Sequence, residues 1–105
     1  MGAVRLFVYG TLLDDALVLQ LTGRRFSKYS AVLTGYRKHT PTRGYPYIVA
    51  DDAAEVAGVI LDGVDAAALR AFDRYEDEGR LYHRVEVSIT RNGEMERAFA
   101  YVAAK

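Results

Sequence analysis

An α+β domain, built as a small mixed β-barrel or curled sheet with two main flanking helices, is the fold class this sequence predicts. Three observations predict it. About six short strand-like runs alternate with turn signals. Two helical runs stand among them, each opened by an acidic capping residue and closed by a glycine. A regular strand–helix–strand repeat is missing, which argues against a doubly wound parallel sheet. With 105 residues the chain is read as a single domain, residues 1–105. A domain of that size buries roughly 60–70% of the surface its unfolded chain exposes, enough for a core and a modest pocket.

Arg5 to Tyr9 is the first strand, with Val4, Leu6 and Val8 on one face and Phe7 and Tyr9 on the other. A strand apolar on both faces is central or barrel-forming. It stops at Gly10. Asp14 or Asp15 then caps a helix carrying Leu17, Val18, Leu19 and Leu21, which Gly23 ends. Ser30 to His39 is the second strand. Pro41 and Gly44 mark a loop, Tyr45 to Ala50 a short strand or edge segment, and Asp51-Asp52 a turn. Glu55 to Leu61 alternates as a strand. Asp65 to Glu78 is the clearest helix, with Asp65 as N-cap and Gly79 as stop. Tyr82 to Thr90 and Met95 to Val102 form a hairpin around Asn92-Gly93.

Composition narrows the function classes. Lys plus Arg and Asp plus Glu both number 14, so the formal net charge is zero, with the two signs interleaved. That is neither the basic footprint of a nucleic-acid binder nor a polybasic membrane patch. The absence of cysteine removes disulfides, thiol nucleophiles and cysteine-rich metal sites, and leans towards a cytoplasmic location. The start, Met1 to Leu6, lacks a signal-peptide layout, and no apolar run approaches the roughly 18–20 residues of a membrane span. Two histidines without a ligand spacing give no metal site, and no organic cofactor is expected. The expected partner is a small molecule; the oligomeric state is not encoded in any visible signal.

Two features carry chemistry. On the second helix, Leu69 and Phe72 define the apolar stripe, and Glu76 projects between them at about 100° per residue. Several readings are open: a frayed helix end, a structural ion pair with Arg84, a rim position beside Asp73, or a partly desolvated carboxyl group with a raised pKa. Only the last suits a general acid/base near neutral pH. The second feature is the turn Tyr9-Gly10-Thr11-Leu12, where a central strand leads into a helix. Glycine permits positive φ and close approach of a ligand, and successive amides there form an anion nest suited to a carboxylate. The plain alternative is that any strand-to-helix turn favours Gly and Thr.

Val8-Tyr9-Gly10-Thr11-Leu12, then Phe72-Asp73-Arg74-Tyr75-Glu76, then Tyr82-His83-Arg84-Val85-Glu86-Val87 together resemble the gamma-glutamylcyclotransferase-like family. Gly35-Tyr36, Tyr45-Pro46, Val56-Ala57-Gly58 and Ala100-Tyr101-Val102 follow in the expected order, so the resemblance spans nearly the whole chain. It implies a small mixed barrel with flanking helices. It also implies an activity: cleavage of gamma-glutamyl amides without water, the substrate's α-amine attacking its own γ-carbonyl to give 5-oxoproline and a free amine or amino acid. Through it Glu76 matches the family's catalytic glutamate, and Tyr9 to Leu12 its substrate turn. Leu13-Asp14-Asp15 and Asp77-Glu78 depart from the family's usual continuations, which leaves the amine portion unassigned; like-charge repulsion from Asp77 and Glu78 is one way to raise the pKa of Glu76.

Tyr82 and Arg84 share a strand face, so Tyr82 is expected to line the pocket and Arg84 to orient Glu76 or a substrate carboxylate; a structural ion pair is the alternative for Arg84. His83 reads as structural and His39 as solvated. Tyr45 and Tyr47 either wall the pocket or pack an edge. The rival function is a non-catalytic binding module for a carboxylate-bearing metabolite on the same scaffold.

Overall fold

The computed structural model of the chain describes residues 2–104. Its elements run β1 (Val4–Val8), a 3-10 turn (Thr11–Leu13), α1 (Asp15–Thr22), β2 (Ser27–His39), β3 (Tyr47–Val64), α2 (Ala66–Glu76), β4 (Tyr82–Arg91) and β5 (Glu94–Ala103). The strands form one curled sheet in the order β1-β3-β2-β4-β5. All pairs but one are antiparallel; β1 and β5 close the ring by a short parallel pairing at Leu6–Phe99 and Phe7–Ala100.

Five strands appear where the sequence suggests six. Tyr45 to Ala50 and Glu55 to Leu61 belong to one strand, β3, and Asp51-Asp52 is not a chain reversal. The pairing with β2 jumps from Tyr36–Ala50 to Thr34–Glu55, so the extra residues of β3 bulge outward and the strand keeps its direction. Gly35, at φ 89°, lies opposite this bulge on β2. Asp51 stabilises it locally by accepting from the Ala53 amide at 3.0 Å.

The capping residues act as their types require. Asp14 accepts from the Ala16 amide and Asp65 from the Ala68 amide, each at 2.9 Å. Gly23 closes α1 in the left-handed region. The second helix ends earlier than Glu78: Asp77, at φ 57°, takes the left-handed cap position, so Glu76 is the last helical residue.

Two apolar clusters explain the two-faced first strand. Phe7 and Tyr9 face the interior of the ring, with Leu33, Ile48, Ile60 and Ile89. Leu6 and Val8 face the helices, with Val18, Leu61, Ala68 and Phe72. Phe72 is fully buried, which alone contributes about 1.5–3 kcal/mol relative to an exposed side chain. Gly58 on β3 lets β1 lie this close: a Cβ there would stand 2.5 Å from the Val8 carbonyl oxygen and 2.6 Å from the Phe7 ring. No helix of the described residues is long and apolar enough to cross a membrane.

Candidate active site

The end of β1, the 3-10 turn and the last turn of α2 meet over the helix-side cluster. Between them lies a narrow hollow lined by Tyr9, Gly10, Thr11, Leu12, Glu76 and Tyr82, with Phe7, Val8 and Tyr101 at its base and Tyr45-Pro46 across it. The remaining free volume is about 20 Å³, room for about one water molecule.

Glu76 reaches the hollow because α2 packs its Phe72 face inward and Glu76 lies one turn further along that face. Among the described residues no group donates a hydrogen bond to it. Burial pushes its carboxyl up from the ordinary 4.5 to about 7. The neighbouring acids are not the cause. Asp77 is paired with Arg80 at 2.7 Å, and Glu78 accepts from the Arg84 amide at 3.3 Å.

Tyrosines supply the rest of the wall. Tyr9 donates to the Tyr101 carbonyl at 2.6 Å, and Tyr82 donates to the Pro46 carbonyl at 3.3 Å. Burial, with the nearby charge of Glu76 as a further cause, raises the pKa of Tyr9, Tyr82 and Tyr101. All three therefore keep their protons at neutral pH. Thr11 is held by the Tyr75 hydroxyl, which lies 3.0 Å from its Oγ1.

The turn is built differently from a left-handed nest. Gly10 has φ −138°, so positive φ is not what the glycine supplies, and a Cβ there would meet Pro46 at an ordinary 3.5 Å. The Gly10 and Thr11 carbonyls accept from the Leu13 and Asp14 amides, closing the turn. The amides of Thr11 and Leu12 have no acceptor among the described residues, and both residues line the hollow. Lys38 of β2 donates to the Tyr9 carbonyl at 3.1 Å and so brings a cation beside the peptide that starts the turn.

Of the residues singled out by sequence, Tyr9, Gly10, Thr11, Leu12, Glu76 and Tyr82 share this hollow, and Arg84 does not line it. Arg84 pairs with Asp73, not Glu76, and lies over the Phe99 ring. Asp73 in turn accepts from Tyr101 at 2.6 Å. His83 is exposed, and His39 stacks on Tyr47 at 5.2 Å. Tyr101, Asp73 and Lys38 are the members of this neighbourhood that sequence reasoning missed. For Tyr101 a signal existed: it sits on the β5 face opposite Arg84 in the hairpin register, which Asn92-Gly93 fixes.

A sequence model for the family described as "Gamma-glutamyl cyclotransferase, AIG2-like" matches residues 6–105. Protein AIG2 C of Arabidopsis thaliana is 37% identical over 100 residues, which cover 91% of this chain and 59% of that protein. The chain thus spans about three fifths of the length of the curated relatives it matches, 59% for each of two. A solution structure from Arabidopsis thaliana is 31% identical and superposes with a TM-score of 0.90 over 100% of this chain and 71% of its own. A structure described as "Gamma-glutamyl cyclotransferase" superposes at 0.81 over 98% of this chain and 68% of its own; at 18% identity that likeness shows the fold alone.

Proposed function

We propose, because this chain belongs to the gamma-glutamyl cyclotransferase, AIG2-like family and has its cyclotransferase-type fold, that it is a cytoplasmic enzyme that cleaves a gamma-glutamyl amide by internal cyclisation. The observation that carries the reading is the pairing of two features in one hollow: a carboxyl poised at about 7 and two turn amides, neither feature having a hydrogen-bond partner among the described residues.

The chemistry needs both. The substrate's α-ammonium must lose a proton before its nitrogen can attack. Glu76 takes that proton. The nitrogen then bonds to the carbonyl carbon of the γ-amide (Cδ), Glu76 passes its proton to the amide nitrogen as the bond from that carbon to it breaks, and the ring nitrogen gives up its second proton through the emptied Glu76 to solvent. The products are 5-oxoproline and a free amine. Because nucleophile and electrophile belong to one molecule, the protein's main contribution is to select the ring-closing conformation. The Thr11 and Leu12 amides hold the α-carboxylate in this scheme, and Tyr9 and Tyr82 line its path. A gamma-glutamyl group exceeds the present free volume, so the Tyr45-Pro46 wall moves outward on binding.

The test is incubation of folded protein with a panel of gamma-glutamyl compounds and detection of 5-oxoproline by mass spectrometry. Release from at least one compound is expected. Saturable binding across the panel with no release would replace the enzyme by a carboxylate-binding module; neither binding nor release would remove the reading altogether.

A further inference from the structure

Beside the hollow lies a second, larger depression of about 420 Å³, walled by Tyr45, Tyr47, Leu81, Tyr82 and Ala103. Among the described residues no charged side chain lines it, although 27% of the chain is charged. Two of its residues, Tyr45 and Leu81, are large, apolar and 66% and 54% exposed. Single exposed apolar side chains are ordinary; a contiguous set around one depression is not. Its far side is fixed by backbone: the Ala104 amide donates to the Leu81 carbonyl at 3.1 Å, and the Gly79 amide to the Tyr82 carbonyl at 2.7 Å.

The position of this trough gives it a role. Tyr45 and Tyr82 line both it and the hollow, so the two spaces are neighbours across a shared aromatic rim. Of the other walls, Phe7, Val8, Tyr9, Leu12 and Tyr101 are buried core, all 7% exposed or less, and Gly10, Thr11, Pro46 and Glu76 are partly exposed. In the cyclotransferase scheme the carboxylate sits on the turn and the reacting amine at Glu76, and the Tyr45–Tyr82 rim is the boundary that the hollow shares with the trough.

We propose that this trough is the leaving-group subsite, and that the preferred substrates are gamma-glutamyl derivatives of apolar or aromatic amines or amino acids. The inference rests on the cyclotransferase reading and adds the substrate class to it. An apolar trough favours a matching substituent by burying its surface and disfavours a cationic or anionic one, which loses water and gains no partner.

The experiment compares kcat/KM for the gamma-glutamyl amides of isoamylamine, phenethylamine, 1,4-diaminobutane and aspartate. At least a tenfold preference for the first two is expected, the scale on which apolar pockets discriminate. Leu81→Asp places a carboxylate on the trough wall at an exposed position, and it is expected to cut the preference at least tenfold and improve the diamine. Leu81→Ala, with circular dichroism to check folding, should give an intermediate ratio. Equal turnover of all four amides, or a ratio indifferent to both Leu81 variants, overturns the subsite while leaving the cyclotransferase reading intact. A concentration-dependent dimer abolished by Leu81→Asp, with unchanged selectivity, assigns the trough to a second copy instead. No 5-oxoproline from any amide overturns subsite and reading together.

Discussion

Asp73 and Glu76 stand three residues apart on α2, the first gripped by Arg84 and Tyr101, the second without a hydrogen-bond donor among the described residues. The same helix thus carries an ion-paired carboxylate and, among the described residues, one without a donor. Arg84 pairs with Asp73, and burial acts on Glu76 unopposed.

Glu76→Gln keeps the shape of the side chain and removes the titration. It is expected to lower kcat by about 10²–10⁴, the usual contribution of a positioned general acid/base. KM should change little, since the carboxylate of the substrate is held by the turn. Steady-state kinetics on the best compound of the panel check this. Retained kcat removes Glu76 from the mechanism.

The pH dependence follows from the sign of the shift. A base works when ionised, so with a pKa pushed up to about 7 in the free protein, kcat/KM rises as pH climbs through that value. Asp73→Asn removes the charge that holds Arg84. Once freed, a guanidinium that turns to Glu76 is an opposite charge that pulls the carboxyl pKa down. The acidic limb of the profile is expected to move below about 7 in Asp73→Asn, even where the maximal rate falls. An unmoved limb would mean that Asp73 has no part in setting the ionisation of Glu76.

Stability carries the same signature with the opposite consequence. Between the ordinary 4.5 and the folded value of about 7, the folded chain binds more protons at Glu76 than the unfolded chain. Stability contributed at this site therefore falls as pH rises through that window. Above it the fold holds a partly buried carboxylate with no hydrogen-bond donor among the described residues. Glu76→Gln removes the cost, so its melting temperature should exceed that of the parent at pH 8.5 by about 5 °C, the equivalent of about 1 kcal/mol in a domain of this size. At pH 4.5 the two should melt nearly together. Thermal melts at the two pH values decide it; a parent more stable than the variant at pH 8.5 contradicts an unpaired carboxylate.

How much of this was readable follows from the range of each interaction. The caps Asp14, Asp65 and Gly23, the Asn92-Gly93 hairpin and the two-faced first strand are local, and the structure places them as their residue types require. Helix periodicity directed Glu76 to the apolar face. What stayed hidden depends on pairings far apart in the chain. The choice of Arg84 between Asp73 and Glu76 is fixed by the approach of β4 to α2. The continuity of β3 through Asp51-Asp52 is fixed by its register against β2, which no local turn signal reports. Gly10 was credited with positive φ, and its φ of −138° shows that a glycine in a turn does not by itself specify the conformation.

Gly58 offers a last test, because it links core packing to the hollow. A methyl group added there would stand 2.5 Å from the Val8 carbonyl oxygen and 2.6 Å from the Phe7 ring. The ring tip can shift, but the carbonyl belongs to a strand paired on both sides, with β3 and β5. Gly58→Ala is therefore expected to cost about 2–3 kcal/mol by overpacking. Phe7→Leu in the same chain should recover only a minor part, since the backbone clash persists; a double-mutant cycle by urea unfolding measures the remainder. Val8 lies two residues before Gly10, so the strand shift that relieves the clash also displaces the turn from Glu76. Activity in Gly58→Ala should fall further than the folded fraction does, at a temperature where the variant is still mostly folded. Activity that tracks the folded fraction alone would show that the turn keeps its place when β1 moves.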